Sequence, residues 1–147
     1  MIPSEHLRNE AIDRFWETIP PVWNFVRTHI RGTATGKFEI TVEQFHVLRF
    51  VGRGPNSMSE LAAAKNISRP AISQAVDVLV KKGLLTRVQS VTDRRVVELY
   101  LTEEGNALLD SIFKENRAWM KERMDILTNQ ELETITKAME ALKKIIE

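Results

Sequence analysis

Two polar clusters in this 147-residue chain have side chains able to do more than solvate a surface. The first is the run Ser68-Arg69-Pro70-Ala71-Ile72-Ser73-Gln74-Ala75-Val76-Asp77. Ser68 is a good helix N-cap, and Pro70 is tolerated in a first turn, where amides lack intrahelical partners. With Ile72, Val76 and Leu79 facing inward, Arg69, Ser73 and Gln74 point outward near the helix N-terminus, with Asp77 one turn further on. An α-helix fits the major groove of duplex DNA, where Gln pairs with adenine and Arg with guanine. A helix N-terminus also suits a phosphate. The second cluster is Thr92-Asp93-Arg94-Arg95. An arginine on an exposed hairpin tip can enter the narrow, electronegative minor groove. A carboxylate two residues earlier can orient that guanidinium through a bidentate pair. Each cluster also has a plainer reading, as a solvated helix face or as a turn whose Asp supports the backbone.

The elements around the clusters weigh between these readings. Thr41-Val42-Glu43-Gln44 and Ser57-Met58-Ser59-Glu60 fit capping boxes. The first opens a short helix carrying Phe45, Leu48 and Val51, which Gly52 through Pro55 ends. The second opens a helix with Leu61, Ala62 and Ala64, followed by a turn at Lys65-Asn66-Ile67. The helix from Ser68 then runs to about Lys82, where Gly83 is placed to stop it. Leu84 to Val88 and Val96 to Leu101 read as strands joined by the polar hairpin Gln89 to Arg95. Helix, tight turn, helix and hairpin in that order make a winged helix-turn-helix, mainly α with a small β-hairpin. A short helix before the first cluster and a hairpin under the second favour the DNA-contacting reading of both.

Charge distribution agrees. Net charge is only +1, but residues 32–101 carry ten basic and six acidic groups, whereas residues 102–147 carry seven basic and ten acidic. Such an excess gains weight when it coincides with a DNA-reading shape. The chain has no cysteine, which excludes disulfides, thiolate metal sites and thiol redox sensing. His6, His29 and His46 are not paired at ligand spacing, so no metal site is expected. A Gly-rich phosphate loop, a G-x-S-x-G elbow and an HExxH pair are all missing, so neither an enzyme nor a bound cofactor is expected. Without a signal-peptide pattern or an apolar run near the roughly 18 residues that span a bilayer, a cytoplasmic protein with no membrane partner is expected.

The flanks read as helices. From about Ser4 to Ile30, Phe15, Ile19, Val22, Val26 and Ile30 form a stripe. Pro20-Pro21 interrupts it, predicting a kink or two consecutive helices, and Gly32 to Gly36 reads as a loop. Thr102 starts a long helix with Leu108, Leu109, Ile112, Phe113, Met120 and Met124. Thr128-Asn129-Gln130-Glu131 caps a last helix, in which Leu132, Ile135, Met139, Leu142 and Ile146 recur at intervals of three and four. Such stripes either pack on their own chain or bury against a second copy. Trp16, Trp23, Phe45 and His46 are candidates to line an effector pocket, although aromatic residues at helical spacing more often belong to a core.

The runs Ser68 to Ser73, Leu79 to Arg87, Asp93-Arg94-Arg95 and Leu99-Tyr100-Leu101-Thr102-Glu103-Glu104-Gly105 together resemble the MarR family of bacterial and archaeal regulators. The resemblance follows helix order over nearly the whole chain and is densest between Ser57 and Gly105. It implies a homodimer shaped like a triangle, with residues 32–101 as the DNA-binding lobe of each subunit and residues 1–31 and 102–147 as dimerisation helices. It also implies, in many members, a small-molecule effector held between lobe and dimer interface. Arg95 matches the family's minor-groove arginine and Asp93 its orienting acid, while Pro20-Pro21 departs from its smoother first helix. The expected function is a regulator, more often a repressor in this family, released from a pseudo-palindromic operator by an effector. The alternative is a winged-helix protein-interaction module without DNA binding, against which Arg69, Gln74, Arg94 and Arg95 argue.

Overall fold

The computed structural model describes residues 2–54, 57–65 and 68–147, and they form six helices and one antiparallel hairpin. In chain order these are α1 (Glu5–Gly36), α2 (Val42–Arg53), α3 (Met58–Lys65), α4 (Arg69–Lys81), β1 (Leu85–Gln89), β2 (Val97–Leu101), α5 (Glu103–Met124) and α6 (Asn129–Lys143). The chain falls into two compact units, Met1–Ile112 and Phe113–Glu147. None of the described helices is long and apolar enough to cross a membrane. The turn expected at Asn66-Ile67 lies outside the described residues.

Local chemistry explains most boundaries. At α2, Thr41 Oγ1 accepts from the Gln44 amide while Gln44 Oε1 accepts from the Thr41 amide, both at 3.1 Å. Thr128 and Glu131 repeat that box at α6. There the Thr128 amide and hydroxyl hold the Glu131 carboxyl below its ordinary range. The Ser57 hydroxyl accepts from the Glu60 amide at 3.1 Å. Gly83, at φ +74°, takes the left-handed turn that ends α4, a conformation a side chain would strain.

The core of the first unit is one cluster. Phe45, Leu48 and Val51 of α2, Leu61 of α3, Ile72, Val76 and Leu79 of α4, Leu85 of β1, Leu99 of β2, and Leu109 and Ile112 of α5 are all buried in it. In the hairpin, Leu85 pairs with Leu101 and Gln89 with Val97. Thr102 ties the hairpin base down: its amide donates to Leu84 O at 3.1 Å, its hydroxyl donates to Gly83 O at 2.6 Å, and that hydroxyl accepts from the Gly105 amide at 3.0 Å. Gly105 is then forced to be glycine, because a Cβ there would lie 2.1 Å from the Leu84 carbonyl oxygen.

Helix α1 corrects two expectations. It runs unbroken through Pro20-Pro21 and on to Gly36. Two prolines in succession deprive the carbonyls of Trp16 and Glu17 of their helical donors. All four residues are exposed, so water can satisfy those carbonyls. Beyond Gly32, Ala34 is fully buried, and its carbonyl accepts from the Ile40 amide at 3.1 Å. Burying Ala34 holds the last turn helical where composition alone predicts a loop.

Candidate nucleic-acid interface

Helix α4 presents one buried and one open side. Ser68 caps it by accepting from the Ala71 amide at 3.4 Å. Ile72, Ala75, Val76 and Leu79 are buried, Arg69 and Gln74 are exposed, and Ser73 is half-buried. Arg69 does not extend freely: its Nη2 donates to the Ser59 hydroxyl at 3.1 Å, linking the start of α4 to α3. Asp77, one turn past Gln74, is ion-paired with Arg87 of β1.

The hairpin tip is a small self-bonded loop. The Ser90 amide donates to Val96 O at 2.9 Å, the Val96 amide to Asp93 O at 3.0 Å, and the Gln89 side-chain amide to the Arg94 carbonyl. Within it Asp93 grips Arg95 three times. Its Oδ1 accepts from the Arg95 amide at 3.0 Å and from Nε at 3.1 Å, and its Oδ2 accepts from Nη2 at 3.3 Å. These bonds hold the Asp93 carboxyl below its ordinary range. The Arg95 side chain is nevertheless 90% exposed. It is a cation aimed by a carboxylate yet open to solvent, the state suited to meeting a phosphate or a groove edge.

Between the two elements lies a cleft of about 260 Å³. Ser59, Arg69, Ile72 and Ser73 line one side, and Arg95, Val96 and Val97 line the other. Below it, Ser57 bridges to Glu98 of β2. The first unit thus brings Arg69, Ser73 and Arg95 to a common opening, with Gln74 exposed on α4 and Arg94 exposed on the hairpin.

The aromatic candidates are placed differently. Phe45 is a core residue, and half-buried His46 lies beside it with ring centroids 6.1 Å apart. Trp16 and Trp23 lie exposed on α1, at 68% and 57%. Sequence reasoning missed three participants. Ser59 and Arg87 each bind a residue ten positions away on another element, which no periodicity reveals. Arg49, half-buried with its guanidinium 5.9 Å from the Phe45 ring, has its pKa lowered by burial and then by Arg53.

Comparison with known proteins adds independent findings. The MarR family profile matches residues 38–96. The uncharacterised HTH-type transcriptional regulator YpoP of Bacillus subtilis is 30% identical over 107 residues, 72% of this chain and 76% of that protein. The HTH-type transcriptional regulator MhqR of the same organism is 32% identical over 110 residues, 74% of each chain. Among solved structures, FabT of Streptococcus pneumoniae in complex with DNA superposes with a TM-score of 0.71 at 22% identity, covering 92% of this chain and 96% of that one.

Proposed function

The chain belongs to the MarR family of winged-helix, DNA-binding transcription regulators, and on that premise we propose that it reads a pseudo-palindromic operator as a homodimer. In this reading Arg69, Ser73 and Gln74 of α4 enter the major groove. Arg95, aimed by Asp93, enters the flanking minor groove together with Arg94. The observation that carries the reading is the Asp93–Arg95 clip, which spends three hydrogen bonds on holding an arginine that stays 90% exposed. A hairpin that served only to cover core would have no use for it.

Dimerisation is the second part of the proposal. No residue of α6 is buried within this chain, and Met139 and Ile146 of its stripe are 49% and 85% exposed. Within the second unit an open, largely apolar cleft of about 650 Å³ is lined by Met120, Met124 and Leu132, with Arg117 and Lys121. In the first unit, α1 leaves Leu7, Ile12, Trp16 and Trp23 exposed. Surfaces of this kind are ordinarily covered by a partner, and a second copy satisfies the two-fold symmetry of a palindromic site. The dimerisation helices are then residues 1–31 and 102–147, and the DNA lobe is residues 32–101. Repression in the cytoplasm, and release by a small-molecule effector that touches Trp16, Trp23, Phe45 and His46, complete the proposal. These last elements rest on the family resemblance.

Selection of bound sequences from random duplex DNA tests the reading, with sedimentation equilibrium at micromolar protein. The expected result is a dimer mass and a two-fold motif with half-sites about one helical turn apart. A monomer that shows no preference among duplexes would overturn it in favour of a protein-interaction module.

A further inference from the structure

The Asp77–Arg87 ion pair joins the proposed reading helix to the first strand of the hairpin. Both side chains are more than a third exposed, at 46% and 42%, so the pair contributes little to folding. Its position is more informative than its strength. Helix α4 and strand β1 meet at one tight turn, where the Gly83 amide donates to Val80 O at 3.0 Å and the Leu84 amide to Leu79 O at 2.9 Å. Gly83 supplies the positive φ on which that turn depends. Asp77 stands about one turn of α4 before this corner, and Arg87 stands two residues into β1 beyond it. The pair therefore closes a triangle whose apex is the corner.

On the side where Arg95 and the start of α4 approach each other, the space between them is an open cleft. Apolar packing does not set the angle there. Asp77 also lies three residues from Gln74, on the same helix.

We propose that Asp77 and Arg87 form a strut that fixes the angle between α4 and the hairpin, so that Gln74 and Arg95 meet their two grooves together. Arg87 is then a positioning residue that acts through Asp77, and it touches no phosphate itself. The inference rests on the DNA-binding reading above. It adds a determinant of specificity outside the residues that touch DNA.

A double-mutant cycle tests it. Asp77→Asn, Arg87→Gln and the double variant are titrated against the selected operator and against random duplex over a range of salt. The ratio of the two affinities cancels the change in net charge. Each single variant should lower that ratio by roughly tenfold, and the double variant by no more, as two groups acting as a unit do. The salt slope should stay at the parent value, and Arg87→Lys should restore most of the ratio. The strut is overturned by additive losses, by tighter operator binding in Asp77→Asn, or by a salt slope reduced by about 0.9 in Arg87→Gln, the signature of a lost phosphate contact. A DNA-free arm separates this inference from the reading it rests on. Nitroxide labels on Val91→Cys and Lys81→Cys, in a chain with no native cysteine, should report a broader distance distribution in Arg87→Gln than in the labelled parent. An unchanged distribution overturns the strut even if the protein binds DNA. A parent with no sequence preference overturns the DNA reading and this inference with it.

Discussion

Replacing Arg95 by alanine removes a cation without touching the core. The side chain is 90% exposed, and its printed partner is Asp93. Its loss should leave the melting temperature and the dimer mass of the free protein unchanged. Its effect on DNA should be large. A hydrogen bond to a charged group is worth about 1.5–3 kcal/mol, so each hairpin should lose roughly ten- to hundredfold in affinity. Two hairpins per dimer square that factor. If Arg95 neutralises one phosphate per subunit, the slope of log affinity against log salt should flatten by about 1.8 per dimer. Asp93→Asn is the informative companion. It keeps the cation but slackens its aim, so affinity should fall less than in Arg95→Ala while the salt slope stays near the parent value. Fluorescence anisotropy with labelled operator at four or five salt concentrations reads both quantities. The reasoning is refuted if Arg95→Ala binds as tightly as the parent, or if it lowers the melting temperature by several degrees, which would make Arg95 a structural residue.

Four further outcomes follow from the same geometry. The folded Asp93 carboxyl lies below its ordinary value, so the clip is fully formed above the ordinary carboxylate range and is lost only as pH falls through the lower folded value. Operator affinity should therefore show no Asp93 titration between pH 8 and pH 5, and an inflection there that vanishes in Asp93→Asn would contradict this. Gln74→Ala should relax base preference at one position per half-site by about 1–3 kcal/mol, measured against single-base operator variants; a uniform loss across all variants would argue for a phosphate contact instead. Leu48→Ala, at a fully buried position, should cost about 2–5 kcal/mol in urea denaturation, and a cost below 1 kcal/mol would mean that the α2 core is mispacked. Gly105→Ala drives a methyl into the Leu84 carbonyl and should lower the thermal midpoint well beyond an ordinary exposed-helix substitution; an unchanged midpoint would show that the hairpin base can yield.

How much of this was legible in the sequence depended on how local the cause was. The boxes at Thr41 and Thr128, the cap at Ser68 and the stop at Gly83 are decided within four residues, and the structure forms each of them. The Asp93–Arg95 clip spans only two residues and was equally readable. The strands begin and end within a residue or so of expectation, since a buried leucine on each fixes the register. Helix α1 was not legible. Its continuity through Pro20-Pro21 depends on exposed carbonyls, and its extension to Gly36 depends on the burial of Ala34 by other elements. The Arg69–Ser59 and Asp77–Arg87 contacts were hidden for a related reason. Each joins two elements whose mutual angle no local pattern encodes.

The central claim is that α4 and the hairpin occupy neighbouring grooves of one duplex. Because the chain lacks cysteine, an iron chelate can be tethered to a single introduced thiol, at Gln74→Cys in one variant and at Arg94→Cys in another. With the selected operator bound, the account predicts that the Gln74 tether cleaves around the major groove at the centre of each half-site. The Arg94 tether should cleave in the minor groove on the outer flank of each half-site, with the whole pattern repeated about the two-fold axis. Cleavage spread evenly along the duplex, or the two tethers cutting at the same positions, would contradict it.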